Sequence, residues 1–141
     1  MAFGGISGDG VGPFHLCNGN VNAHVYKDIL EANSAHIVGK LLAQDNAPCH
    51  KALLVRRWLD KKGVQTLPWP AYSPDLNPIE NVWAAMKSQV QGKRFANKDA
   101  LWNELVSIWN GFSVQCIRKY IDSMPDRVRA VIDANGGFTK Y

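Results

Sequence analysis

Two acids in unlike settings are the residues of this chain best placed to do chemistry. Asp45 closes the run Leu41-Leu42-Ala43-Gln44-Asp45 and is followed by Asn46-Ala47-Pro48. A short apolar run ending in a carboxylate, then a proline turn and a helix, reads as a strand that presents Asp45 at its C-terminal end, where α/β sheets place ligands. Glu80 follows after 34 intervening residues, just past a stretch carrying Pro68, Pro70, Pro74 and Pro78. Those prolines deny the stretch regular structure, because each removes a backbone donor and holds its predecessor extended. The helix is therefore expected to open at Asn77, with Pro78 first and Glu80 third. Ile79, Val82, Trp83, Met86 and Val90 recur at helical spacing as one apolar stripe, and Glu80 lies about 100° round from Ile79 on its flank. Two such carboxylates can hold one hard divalent cation weakly through oxygen. Asn77-x-x-Glu80 is equally the spacing of a capping box, so a purely structural role for Glu80 stays open.

Around these acids stand residues able to steady them or to meet a phosphate. Asn46 and His50 follow Asp45 closely and either steady it or touch substrate, with His50 also able to cap its own helix. Lys87 shares a helix face with Glu80. Arg56 and Arg57 lie on a charged helix face that is either solvated or in contact with phosphate, and Lys93 and Arg94 form a basic turn. Asp75 in Ser73-Pro74-Asp75 and Asp9 between two glycines read as turn residues. Cys49-His50 lacks a second pair at the spacing of a zinc site.

The elements that must position these groups follow from periodicity and punctuation. Ala2–Ser7 and Val11–Cys17 flank Gly8-Asp9-Gly10 as a hairpin. A helix is expected from Asn22 to about Ala32 with Val25, Ile29 and Leu30 inward. It is followed by the Lys40–Asp45 strand, a helix from His50 to Lys62 stopped by Gly63, and a Val64–Leu67 strand. Beyond the Glu80 helix, residues 98–110 and 114–123 are helical. A last helix opens at Ser123-Met124-Pro125-Asp126 and buries Val128, Val131 and Ile132.

At 141 residues the chain has the length of one domain, and 46% apolar residues with five tryptophans permit a core. A formal charge of +4 is mildly basic and compatible with a nucleic-acid partner. Three widely spaced cysteines argue against a disulfide framework and for a reducing compartment. No long apolar run suggests a membrane span and no basic leader a secretory signal, so the protein reads as soluble and intracellular.

Three segments carry a family resemblance: QDNAPCH (Gln44 to His50), WPAYSPDLNPIENVW (Trp69 to Trp83) and SMPDRVRAVIDANGGFTKY (Ser123 to Tyr141). They resemble landmarks of the catalytic domain and C-terminus of the mariner-type DDE transposases. The resemblance implies an α/β, RNase H-like mixed sheet in spatial order 3-2-1-4-5. The hairpin would supply strands two and three, and the strands ending at Asp45 and Leu67 would be four and five. The first, central strand is missing from this chain, and added helices cover the C-terminal part. The expectation is thus a single incomplete domain over 1–141, with sheet and catalytic helix in 1–92 and helices in 93–141. In that family two aspartates and a glutamate hold two divalent ions, Mg2+ or Mn2+, and Asp45 and Glu80 match the second and third acids for both metal binding and catalysis. The implied activity is metal-dependent DNA strand cleavage and transfer. With the first acid outside the chain, the two-ion centre is not expected to assemble, and the chain alone is expected to be inactive. The implied partner is DNA, bound without sequence specificity through Asn46, His50, Arg56, Arg57, Lys87, Lys93 and Arg94. Open strand edges invite self-association or strand complementation, and in a eukaryote the protein would be nuclear. A non-catalytic DNA-binding or assembly module is the alternative from another class, and an RNase H-like nuclease of unrelated purpose is a third.

Overall fold

The computed structural model describes residues 1–137 and 139–141, whose contacts divide into two units. One comprises residues 17–73 with Met1, the other residues 2–16 and 74–141.

In the first unit Asn22 caps α1, Ala23–Ala32, its Oδ1 accepting from the N–H groups of His24 and Val25 at 3.0 Å each. The buried face of α1 is Tyr26 and Leu30, whereas Val25, expected inward, is 37% exposed. A tyrosine can take the inner position here because its hydroxyl finds a partner in Gln44 at 2.7 Å. A short α2, Ser34–Ile37, follows. The two expected strands, 40–45 and 64–67, are reduced to one parallel bridge between Leu42 and Thr66. Its two bonds run from Leu42 N–H to the Gln65 carbonyl at 2.8 Å and from Leu67 N–H to the Leu42 carbonyl at 2.9 Å. A parallel pair is weak per residue, and no third strand among the described residues flanks this one. The helix expected over 50–62 is divided into α3, Pro48–Lys51, and α4, Leu53–Lys62, because Ala52 turns extended (φ −60°, ψ 141°). The bend lets both pieces pack on α1. Val55, Trp58 and Leu59 are buried as the periodicity predicts, and Gly63 ends α4 with a φ of +66°, where a side chain would be strained.

The second unit begins with the hairpin: β1, Ala2–Ser7, pairs antiparallel with β2, Gly10–Leu16, across the two-residue turn Gly8-Asp9. A bulge sets Gly12 and Pro13 opposite Gly5, so Pro13, which has no N–H to give, sits where the ladder is already broken. Four helices follow: α5, Ile79–Val90; α6, Lys98–Asn110; α7, Val114–Asp122; and α8, Met124–Asp133. Val82, Met86, Trp109 and Ile117 form the core, with Ile6, Val11, Phe14 and Trp83 packed against it. The Phe14 ring stacks on Trp109 at 4.8 Å and on Trp102 at 4.6 Å, and Trp109 Nε1 donates to the Gly12 carbonyl at 3.1 Å.

The last helix is turned otherwise than its hydrophobic pattern predicts. Val128 and Ile132 are 44% and 67% exposed, and the buried residue of α8 is Arg127, at 2% exposure. A buried guanidinium is tolerable only where its donors are met, and three acceptors in this unit meet them. Ser123 likewise makes no capping bond to the helix it opens. Its hydroxyl donates to the Tyr120 carbonyl at 2.6 Å and accepts from Arg127 Nε at 2.8 Å.

Candidate carboxylate sites

Asp45 stands where the bridge region runs into α3, and both of its observed carboxylate contacts fall on Oδ1. The Ala47 N–H donates to that oxygen at 2.9 Å, an Asx turn, and His50 Nδ1 lies 2.7 Å from it. The short α3 makes this possible by bringing His50 back over the residue five before it, so that Nδ1 also lies 3.2 Å from the Asp45 carbonyl. The other side of His50 is covered by Tyr26, the two ring centroids being 4.2 Å apart. Tyr26 in turn donates its hydroxyl to Gln44 Oε1, beside Asp45 in the chain. Burial holds the Tyr26 hydroxyl well above its ordinary pKa, with the nearby Cys49 and Asp45 adding to the effect. The Asp45 side chain nonetheless remains 62% exposed. It is an oriented acid that faces solvent. Asn46 donates from its Nδ2 to the Trp69 carbonyl at 2.8 Å, which ties it to the start of the proline-rich loop.

Glu80 is exposed on the first turn of α5. The turn Pro74–Leu76 precedes it as a single 3-10 turn anchored by buried Leu76, and its Pro74 carbonyl accepts from Asn77 N–H at 2.9 Å. The Asn77 carbonyl accepts from Glu80 N–H at 3.1 Å, and the Asn77 side chain accepts from Ile79 N–H at 3.3 Å. Pro78, at φ −59° and ψ −25°, is the N-cap, so α5 starts one residue later than the sequence suggests, with Ile79 first and Glu80 second. A carboxylate in this turn also lies at the positive end of the helix dipole.

Of the other named residues, Arg56 and Arg57 lie exposed on α4, Lys87 is exposed on α5, and Arg94 is exposed beyond it. Lys93 is engaged within its unit, with Nζ 2.5 Å from Glu104 Oε1. Both acids offer hard oxygen donors, the set that suits magnesium or manganese rather than a thiophilic metal. Among the described residues no group of three or more His, Cys, Asp or Glu gathers as a ligand set. No helix among them is long and apolar enough to cross a membrane.

Three residues carried no signal as functional groups in the sequence. Tyr26 looks like any core aromatic, and Arg127 like any charge on an amphipathic helix. Tyr72 reads as loop, yet it is fully exposed at a φ of +53°, a conformation that costs a side-chain-bearing residue energy.

The profile of the family described as DDE superfamily endonuclease matches residues 1–102. The transposable element Tc1 transposase of Caenorhabditis elegans is 39% identical over 147 aligned positions, which cover all of this chain and 54% of that protein. The transposable element Tcb2 transposase of Caenorhabditis briggsae is 35% identical over the same shares. The chain thus spans about half the length of the curated relatives it matches. Among solved structures, the catalytic domain of Mos1 mariner transposase superposes with a TM-score of 0.86 at 24% identity, over 94% of this chain and 72% of that one. The Mos1 mariner paired end complex with Mn gives 0.87 at 25%, over 96% and 43%. The likeness shows the fold, an RNase H-like α/β arrangement.

Proposed function

The chain belongs to the DDE superfamily endonucleases, and on that premise we propose that it is part of a transposase catalytic domain and contributes Asp45 and Glu80 to divalent-metal-dependent cleavage and transfer of DNA strands. The observation that carries this reading is the setting of Asp45: an exposed carboxylate whose Oδ1 is held by a backbone N–H and by His50, which fixes the direction of the group without burying it. A residue with only a turn-forming role needs the first of those contacts and not the second. Glu80 is supplied from the start of a helix that a stiff loop introduces. The family profile spans both acids, and for that reason we take residues 1–141 as belonging to one domain.

Magnesium or manganese, held by these carboxylates, would activate an attacking water or 3′-hydroxyl and stabilise the leaving oxygen of an in-line displacement at a phosphodiester. The chain's own residues do the rest. His50 and the Ala47 N–H keep Asp45 pointed, and Asn46 holds the loop backbone at Trp69. Arg56, Arg57, Lys87 and Arg94 are the exposed cations available to phosphates. A centre of two ions calls for a bridging carboxylate beyond the two named here. DNA is the partner in this reading, bound through its backbone and without base preference, and in a eukaryotic cell that places the protein in the nucleus.

The test is titration of the 141-residue chain with Mn2+, followed by electron paramagnetic resonance or calorimetry. Binding is expected to be weak and to fall by about tenfold or more in both Asp45→Asn and Glu80→Gln, since each removes one of few charged ligands. An isotherm that neither substitution changes would return Glu80 to its helix-capping role and leave the chain as a binding or assembly module.

A further inference from the structure

Arg127 is a buried charge in the second unit, and its guanidinium reaches three separate elements. Nε donates to Ser123 Oγ at the head of α8 at 2.8 Å, and Nη1 to the Asp75 carbonyl in the turn before α5 at 2.6 Å. Nη2 donates to Asn81 Oδ1 on the first turn of α5. The Tyr141 ring covers the guanidinium at 4.6 Å, and Thr139 donates its hydroxyl to Asp75 Oδ2 at 3.0 Å. We infer that Arg127 is a positioning residue for Glu80, holding the Pro74–Leu76 turn and the first turn of α5 in one arrangement under a strap formed by Thr139 and Tyr141. The inference rests on the assignment of Glu80 made above.

Geometry and cost both support this. Asn81 is the residue after Glu80, and successive helical side chains leave the axis about 100° apart. Fixing the Asn81 amide therefore fixes the rotation of that turn about its axis, and with it the direction in which Glu80 leaves the helix. The Asp75 contact fixes where the helix begins. All three hydrogen-bond acceptors are neutral, so among the described residues the guanidinium is buried without a direct carboxylate hydrogen bond, and burial lowers its pKa even though Tyr141 and Asp75 act to raise it. A charge so placed is an expensive filler, and an apolar side chain would occupy the space at less cost. What the apolar chain lacks is the planar fork that joins two acceptors on different elements. Lysine, a single point donor, lacks it too.

The experiment measures Mn2+ affinity of the full 141-residue chain well below its melting temperature, alongside the melting temperature itself. Arg127→Lys and Arg127→Met are expected to weaken Mn2+ binding about tenfold, the usual scale for a group that orients a ligand, and so approach the Glu80→Gln value. Asn81→Asp, which keeps an acceptor for the fork, is expected to keep the affinity, and Asn81→Leu to lose it. A folded Arg127→Met protein with wild-type Mn2+ affinity would overturn the inference and make Arg127 a purely structural residue. Should the Arg127 variants not fold, the Asn81 pair decides: equal affinity in Asn81→Asp and Asn81→Leu overturns it. Wild-type affinity in Glu80→Gln would instead overturn the assignment of Glu80, and the inference with it, so the two failures are told apart.

Discussion

Tyr26 shows how much of the Asp45 setting is carried by one side chain. Its ring lies against His50 and its hydroxyl on Gln44, so the residue supports both neighbours of the acid. Burial raises its pKa in the folded protein above the ~10 of an unfolded tyrosine. The unfolded chain therefore loses its proton first as pH rises. Stability that depends on the neutral hydroxyl is whole below ~pH 10 and is lost as pH climbs through the higher folded-state value. In Tyr26→Phe that alkaline loss should vanish, at a cost near neutral pH of about 1 kcal/mol for the missing hydrogen bond. Urea melts of both proteins at pH 8 and pH 11 check it. An alkaline loss of the same size in the variant would show that another group is responsible. Neither Tyr26 nor Arg127 was legible as a functional neighbour in the sequence, because the contacts that give each its role lie 18 to 52 residues away along the chain.

At the level of elements, the hairpin and its aromatic cover depend on a close approach that only glycine permits. A Cβ at Gly4 would come within 2.7 Å of both Trp109 and Trp83, and those rings are held by stacking with each other at 5.3 Å and by the stacking of Trp109 on Phe14. The rings have nowhere cheap to go. Gly4→Ala is therefore expected to destabilise the protein by about 2 kcal/mol, the scale of overpacking in a filled core. Denaturant melts with tryptophan fluorescence read both the stability and the disturbed stack. An unchanged midpoint and spectrum would mean that the rings yield. Gly8, with nothing within 4 Å of its added Cβ, is the control at which alanine should cost much less. Among the elements, the hairpin, α1 and the three helices α5 to α7 were legible, since turn glycines, caps and 3.6-residue periodicity are local signals. The α3–α4 break at Ala52 was not, because no proline or glycine marks it. It answers to how two short helices pack on α1.

For the whole molecule the relevant quantity is charge. A formal +4 with Arg56, Arg57, Lys87 and Arg94 exposed suits contact with phosphates, which carry no base identity. Binding to duplex DNA is expected to be weak and indifferent to sequence. Raising salt from 50 to 200 mM should weaken it by about two orders of magnitude if roughly four phosphates are neutralised. The Arg56→Ala/Arg57→Ala double variant should lower the salt slope by about two. Fluorescence anisotropy with two unrelated duplexes is the measurement, and a marked preference for one of them would contradict the expectation.

The amino-acid sequence alone singled out Asp45 and Glu80 as candidate acids, and it determined the proline-rich loop that precedes α5 and the RNase H-like resemblance. All of these rest on local punctuation and on motifs read within a few residues. Tertiary structure decided what those motifs are attached to. His50 could have capped its helix, but it turned to Asp45 because Tyr26 closed its other side. The apolar stripe of α8 favoured burying Val128 and Ile132, yet Arg127 went inward because Asp75, Asn81 and Ser123 held acceptors for it. The runs at 40–45 and 64–67 had the composition of strands and kept only the Leu42–Thr66 bridge, since a strand is completed by its neighbours and not by its own residues. Polar groups choose their partners across the fold, and no pattern within one segment records that choice.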